Sequence, residues 1–287
     1  MSDNVIIVLT GGTGSFGSSF IPFLLSKPEV RMIRIYSRDE HKQRILRQKY
    51  PTDRLSFYLG DVRDYPRLEQ VMDGANWVVH AAALKQAPYG EAYPEEFIKT
   101  NIIGSLNVAH AAFKENLDKC LLISSDKAVE PINLYGATKM CAERVFLNLN
   151  NMKGTKKTNF SVVRYGNVVG TSGSFIELIC KSKVTDVIPV TEFHSTRFLL
   201  TLDMAHKFVW DSLNKMNGGE TFIPTGLKSS DINAILSALC PNNPTVWIGL
   251  RAGDKVHEKL CDGLVSNKAP RLSLQEIREY AGVGQSP

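Results

Sequence analysis

The run Val5-Ile6-Ile7-Val8-Leu9-Thr10-Gly11-Gly12-Thr13-Gly14-Ser15-Phe16-Gly17 constrains the fold of this 287-residue chain more than any other stretch. Val5 to Leu9 is a continuous, mostly β-branched apolar run, which suits a strand buried on both faces of a parallel sheet. The apolar-rich stretch from Phe16 to Leu25 then reads as a helix. Between them Gly11, Gly14 and Gly17 keep a G-x-x-G-x-x-G spacing. The first glycine lets the backbone turn sharply off the strand, the second lets it approach a ligand, and the third lets the helix pack closely. A helix N-terminus presents unpaired N–H groups and the positive end of the helix dipole, so the ligand this turn predicts is a dinucleotide pyrophosphate.

Further strand candidates lie at Arg31 to Tyr36, Leu55 to Leu59, Trp77 to Ala82, Leu121 to Ser124 and Ser161 to Arg164. Helix-like segments separate them at His41 to Lys49, Tyr65 to Met72, Asn101 to Glu115 and Tyr135 to Leu149. This alternation predicts an α/β fold, a Rossmann-like doubly wound parallel sheet. Beyond Gly166 the rhythm loosens into Gly, Pro and Ser breaks. The expected division is a dinucleotide-binding domain over 1–166 and a smaller, mainly substrate-binding C-terminal lobe over 167–287, with some segments returning to the sheet. Asn148 to Thr158 reads as an exposed loop.

Composition narrows the function. A formal charge of +5 is too mild and dispersed for a nucleic-acid surface. Five widely spaced cysteines without C-x-x-C indicate neither a disulfide framework nor a metal site. No apolar stretch approaches the roughly 20 residues of a membrane span, and no basic leader precedes the first strand. A cytoplasmic protein without nucleic-acid or membrane partners is expected.

The residues after the second strand address the cofactor. An acidic side chain there serves a ribose 2′-hydroxyl, whereas an arginine accommodates a 2′-phosphate. Ser37-Arg38 favours NADP, with Lys42 a second charge one turn on; Asp39 and Glu40 leave NAD open. Asp61 and Val62, ending the third strand, are placed either to touch the adenine or to cap a helix. Farther on, Tyr135 and Lys139 share a helix face. An ammonium beside a phenol stabilises the phenolate and donates to ribose hydroxyls, which makes Tyr135 a usable base.

With these motifs the chain resembles an extended short-chain dehydrogenase/reductase over essentially its whole length. The segments that carry the resemblance are T-G-G-T-G-S-F-G, Y-S-R-D-E, G-D-V-R-D, H-A-A-A-L-K, K-T-N-I-I-G, S-S-D-K-A, P-I-N-L-Y-G-A-T-K and R-Y-G-N-V-V-G. Within that superfamily they are similar to the soluble, C5-inverting UDP-N-acetylglucosamine 4,6-dehydratases. The resemblance implies catalysis by Asp126, Lys127 and Tyr135, with Ser125 orienting the sugar 4-hydroxyl. It implies cofactor contacts from Thr13, Ser15, Phe16, Ala81, Ala83, Lys85, Asn101 and Ser124. Lys85, Asn167, Ser174, Arg197, Arg251 and Glu258 would meet the nucleotide sugar, with Arg251 and Glu258 on the nucleotide. It also implies a UDP-N-acetylglucosamine-like substrate and a homo-oligomer.

In the implied reaction Tyr135 takes the 4-hydroxyl proton as hydride leaves C4, Lys127 takes the C5 proton, Asp126 protonates the departing 6-hydroxyl, and hydride returns to C6. An ordinary lysine, with a pKa of about 10.4, is almost wholly protonated at pH 7. Half-neutral Lys127 needs a downward shift of roughly 3.4 units, or about 4.6 kcal/mol. Asp126 needs a similar upward shift. Desolvation acts in both directions, so the pair is expected to share one proton as a coupled unit. A 4-epimerase would need Tyr135 and Lys139 but no acid-base pair for C5 and C6. A C5-retaining dehydratase and a catalytically silent NADP-binding regulator would also carry the glycine turn. Intact Asp126, Lys127, Tyr135 and Lys139 argue against the silent regulator.

Overall fold

A seven-stranded parallel sheet forms the centre of the protein, seen in a computed structural model that describes residues 4–152, 154–251 and 253–283. Its first six strands in the chain are β1 (Val5–Thr10), β2 (Val30–Ser37), β3 (Leu55–Leu59), β4 (Trp77–His80), β5 (Lys119–Ser125) and β6 (Asn159–Tyr165). Their spatial order is β6-β5-β4-β1-β2-β3, and Thr221–Phe222 adds a seventh strand outside β6. The order reverses between β1 and β4, which opens a crevice at the carboxyl ends of those strands, where this architecture takes its ligands.

Both faces of the sheet are buried because successive side chains alternate. Ile7 and Leu9 join Phe20, Leu24 and Trp210 in one core layer, while Val8 joins Val78, Val108, Leu122 and Phe146 in the other. This is why the first strand reads as an unbroken apolar run rather than an alternating one.

β4 ends at His80, two residues before the sequence suggests, and the chain then leaves the sheet. The His80 ring is buried between Thr10 Oγ1 (2.6 Å to Nδ1) and Ser105 Oγ (3.0 Å to Nε2). Ser105 spends its own proton on the Asn101 carbonyl at 2.6 Å, so Nε2 donates and Nδ1 accepts from Thr10. Burial, helped by the charge on Lys139, pushes the His80 pKa down to about 3.

The helix expected from Asn101 to Glu115 begins instead as a π-helical turn, Ile98–Ile103, and continues as an α-helix, Gly104–Lys114. The helix Leu134–Met152 also outruns its expected end, so Asn148 to Thr158 is not one loop. The reason is Asn150, whose amide donates to the Phe160 carbonyl and accepts from Phe160 N–H, tying the polar last turns to β6.

The C-terminal half serves two bodies. Asn167–Val168, Thr196–Leu200 and Ser229–Asp231 form a small second sheet, and Val169, Ile176, Leu199, Ile235 and Ile277 make a core of their own. The helix Leu202–Lys215 instead packs on α1 (Ser15–Leu25), with Ser19 Oγ 2.9 Å from His206 Nε2.

Candidate active site

A cavity of about 610 Å³ opens at the β1–β4 crevice. Gly11, Thr13 and Gly14 line it from the first turn, Ser37, Arg38 and Lys42 from beyond β2, and Asp61, Val62, Ala81 and Ala83 from beyond β3 and β4. The glycines explain its shape. Gly11 has φ +67°, and a Cβ there would lie 2.7 Å from the Ala82 backbone nitrogen. A Cβ on Gly17 would lie 2.5 Å from the Gly11 carbonyl oxygen, so α1 can sit against the turn only because none is present. Gly14 is the N-cap of α1 and brings no side chain to its first N–H groups. That leaves them for an anion, and the turn therefore fits a dinucleotide pyrophosphate.

Charge around the cavity is apportioned by α2 (Glu40–Lys49) and α3 (Tyr65–Met72). Asp39 caps α2 by accepting from Lys42 N–H at 2.9 Å and pairs with Lys42 Nζ at 3.3 Å. Arg38 precedes that cap and does not share a helix face with Lys42. It remains half exposed, 3.6 Å from Asp61. Asp64, not Asp61, caps α3. Burial works against the Asp61 carboxylate, but hydrogen bonds from Arg63 and the nearby Arg38 charge keep its pKa below the ordinary value.

Other residues assigned to the cofactor are engaged elsewhere. Phe16 packs on Phe20 and His206. Ser124 donates to buried Glu143, which also holds Arg164. The Asn101 side chain bonds both backbone groups of Leu84 and Thr138 Oγ1, fixing the loop after β4 on which Lys85 stands exposed. Ser15 Oγ accepts from Ser172 N–H at 2.9 Å, drawing the Gly170 to Ser174 turn over the start of α1. Ser174 caps the helix Phe175–Lys181.

The second cluster gathers at the carboxyl ends of β5 and β6. Asp126 and Lys127 form a single 3₁₀ turn, Asp126–Ala128, where β5 stops. Gly136, in the first turn of the helix Leu134–Met152, packs directly on the Lys127 carbonyl, leaving no room for a Cβ. That approach brings neighbouring Tyr135 onto the Asp126–Lys127 turn. Ser125 Oγ donates to Asp126 Oδ1 at 2.9 Å, Lys127 Nζ donates to the same oxygen at 3.1 Å, and Asn167 Oδ1 lies 3.5 Å from Lys127 Nζ. Asp126 is wholly buried, and its Oδ2 has no hydrogen-bond partner among the described residues.

Two features of this cluster differ from the sequence expectation. Burial alone would pull Lys127 down, as expected, but the Asp126 and Glu258 carboxylates outweigh it and the opposing Arg197 charge, so the ammonium is held above the ordinary lysine range. Burial raises the Tyr135 pKa, and the cation that opposes this is Lys127, together with a hydrogen bond to Ser125. Lys139 donates to the Ile123 carbonyl at 2.7 Å, and its own pKa is pushed by burial to about 8 despite Glu143.

The chain matches the family described as polysaccharide biosynthesis protein over residues 7–275. It belongs to that family. This polysaccharide biosynthesis family member is 44% identical to a UDP-N-acetylglucosamine 4,6-dehydratase (inverting) of Campylobacter jejuni over 254 residues, 88% of this chain and 76% of the relative. It is also 37% identical to a UDP-glucose 4-epimerase of Rickettsia rickettsii, over 96% of this chain and 81% of the relative. Among solved structures, Pen from Bacillus thuringiensis aligns with a TM-score of 0.85 at 33% identity, covering 91% of this chain and 82% of Pen.

Within this family member, Glu258 is the residue whose surroundings the sequence did not convey. Its carboxylate, 2% exposed as a residue, lies 3.4 Å from Lys127 Nζ. The segment before it is docked from several sides. Asn133 donates to the Gly253 carbonyl, Lys255 donates to the Val129 carbonyl, and Thr196 N–H donates to the Val256 carbonyl. Arg197 clamps the same segment through the Lys255 and Val256 carbonyls. Arg251, grouped with Glu258 in the sequence, is instead exposed and paired with Asp254 at 2.9 Å. A local reading of R-A-G-D-K-V-H-E holds no signal for this separation, because the partners come from distant strands and turns. No helix among the described residues is long and apolar enough to cross a membrane.

Proposed function

We propose that this chain is an inverting UDP-N-acetylglucosamine 4,6-dehydratase that works with NADP. The observation that carries the reading is one buried cluster, at the same carboxyl edge of the sheet as the cavity, that holds an acid–base pair and a phenol together. Identity to the Campylobacter relative over most of the chain supports the substrate and the stereochemistry.

A nicotinamide dinucleotide, held by the Gly11 and Gly14 turn with Arg38 and Lys42 at the rim, would supply a hydride acceptor for C4 and a hydride donor for C6, with no net consumption. Tyr135 takes the proton of the sugar 4-hydroxyl. Lys127 takes the C5 proton, which the C4 carbonyl has made acidic, and Asp126 gives a proton to the 6-hydroxyl as it leaves as water. In the resting site the Lys127–Asp126 pair is ionic, its atoms 3.1 Å apart. One proton moving from Lys127 Nζ to Asp126 Oδ1 converts it into a neutral base and a neutral acid, without any proton from outside. A bound sugar that excludes water favours this transfer, since desolvation penalises both ions. Elimination then restores the ion pair. After hydride reaches C6, C5 takes a proton from solvent on the opposite face and the Tyr135 phenol returns to solvent the proton it took, which completes the inversion and resets the site.

Arg38 and Lys42 at the cavity support NADP over NAD. Cofactor released from the purified protein on denaturation is expected to carry the 2′-phosphate; NAD alone would overturn this choice. The reading extends to a cytoplasmic homo-oligomer, for which light scattering gives the mass.

Incubation with UDP-N-acetylglucosamine in heavy water, followed by NMR, tests the function. A 4-keto-6-deoxy product of L-configuration with deuterium at C5 is expected, and a simple C4 epimer defeats it. The Rickettsia relative favours that second reading, 4-epimerisation, which needs Tyr135 but no C5 base. Retained C4 epimerisation by a Lys127→Ala variant would decide for it.

A further inference from the structure

Lys127 faces two carboxylates, Asp126 Oδ1 at 3.1 Å and Glu258 Oε1 at 3.4 Å. The remaining groups facing this pair are Arg197, whose Nε lies 3.9 Å from Glu258 Oε1, Lys255, whose Nζ lies 3.9 Å from Glu258 Oε2, the Tyr135 phenol and the neutral Asn167 amide. Neither of the other cations comes within hydrogen-bond reach of Glu258, each lying 3.9 Å away. The Arg197 guanidinium donates to the Thr196, Val256 and Lys255 carbonyls, and Lys255 donates to the Val129 carbonyl. Lys127 is therefore the closest cation to the Glu258 carboxylate. The Glu258 backbone is anchored, because its N–H donates to Ser266 Oγ and its carbonyl accepts from Ser266 N–H, both at 2.8 Å. Its Oε2 is buried without a hydrogen bond among the described residues. A buried carboxylate held this way lowers its energy only when a cation stands beside it.

We propose that Glu258 is a positioning residue that holds Lys127 as the ammonium in the resting site and stabilises that charge again once Lys127 has taken the C5 proton. The second half of this inference rests on the reading of Lys127 as the C5 base. Asp126 alternates between acid and carboxylate during turnover, so Glu258 is the counter-ion that stays constant. The protonation state of Lys127 then depends on both neighbours, and removing Glu258 makes the amine easier to deprotonate.

Competitive acetic anhydride labelling of the purified full-length protein with its bound cofactor, read by mass spectrometry across pH, follows Lys127 without any substrate. In the unsubstituted protein Lys127 is expected to titrate above the roughly 10.4 of an ordinary lysine. Glu258→Gln is expected to lower that titration by about one to three units, the range an adjacent opposite charge commands. Glu258→Asp is expected to keep it high. In parallel, the acid limb of kcat for water elimination is expected to move to lower pH in Glu258→Gln, whereas a purely structural role would reduce turnover equally at every pH. A Lys127 that titrates at or below an ordinary lysine, or one unmoved by Glu258→Gln, overturns the proposal. If Glu258→Gln does not fold, Glu258→Ala takes its place, with the same lowering expected and an unmoved Lys127 overturning the proposal. If the unsubstituted protein eliminates no water from UDP-N-acetylglucosamine, the functional reading fails, and the labelling still decides what Glu258 does to Lys127.

Discussion

The cavity at the β1–β4 crevice and the charged cluster beyond β5 are built by different means. The cavity owes its shape to backbone: the positive φ of Gly11, the close approach of Gly17 and the uncapped start of α1. The cluster owes its properties to side chains that arrive from five places in the chain, namely Asp126–Lys127, Tyr135, Asn167, Arg197 and Glu258. A backbone-built site tolerates changes of charge and fails on an added Cβ. A site built from buried charges has the opposite sensitivity, because each ion is stable only through its neighbours.

The sharpest way to break the contrast is Lys127→Ala. Elimination is expected to fall by about 10²- to 10⁴-fold, the contribution of a positioned acid or base, while bound cofactor is retained. Product NMR and cofactor content together check this, and loss of cofactor in the variant would mean the two regions are not independent. Gly11→Ala runs the contrast the other way. Its Cβ meets the Ala82 backbone at a positive φ, so stability should drop by about 1–3 kcal/mol and cofactor retention with it. Denaturant unfolding and cofactor content measure both effects.

His80 ties β1, which leads into the glycine turn, to the helix that follows Asn101. Its native pKa, about 3, lies below the roughly 6.5 of an unfolded histidine, so between these values the unfolded chain binds a proton that the native protein does not. Stability from this group is complete above pH 6.5 and is lost as pH falls toward 3, at about 1.4 kcal/mol per unit. Unfolding at pH 7 and pH 5 should show this slope, and His80→Asn should remove it. The smallest effect is expected at the cavity rim, where Arg38→Ala should cut the preference for NADP over NAD by about tenfold, or about 1.4 kcal/mol, for one lost charge-assisted contact. Binding titrations with the two dinucleotides measure it, and an unchanged ratio would remove Arg38 from cofactor choice.

The two regions were also unequally legible. The glycine turn could be read because strand–turn–helix order places it and Gly17 packs on Gly11 only a few positions away, although the Ala82 backbone that crowds Gly11 lies far along the chain. Tyr135 was legible from its spacing to Lys139, yet that spacing misdirected the electrostatics. Lys139 turns to the Ile123 carbonyl, and the cation that opposes the burial-driven rise of the phenol is Lys127. Asp61 and Asp64 are equally plausible caps in G-D-V-R-D, and only the start of α3 separates them. The π-helical turn at Ile98–Ile103 had no signal either, since the same residues satisfy an α-helical pattern.

What the sequence determined by itself was the order of strands and helices, the glycine turn and the adjacency of Asp126 to Lys127, because these depend on neighbouring residues and on the alternation of apolar side chains. What only the tertiary structure decided was the charge on Lys127. The segment 253–258 docks against Asn133, Val129 and Thr196, and so places Glu258 beside it. A pKa follows from every charge within a few ångströms, and folding selects those neighbours without regard to their distance along the chain.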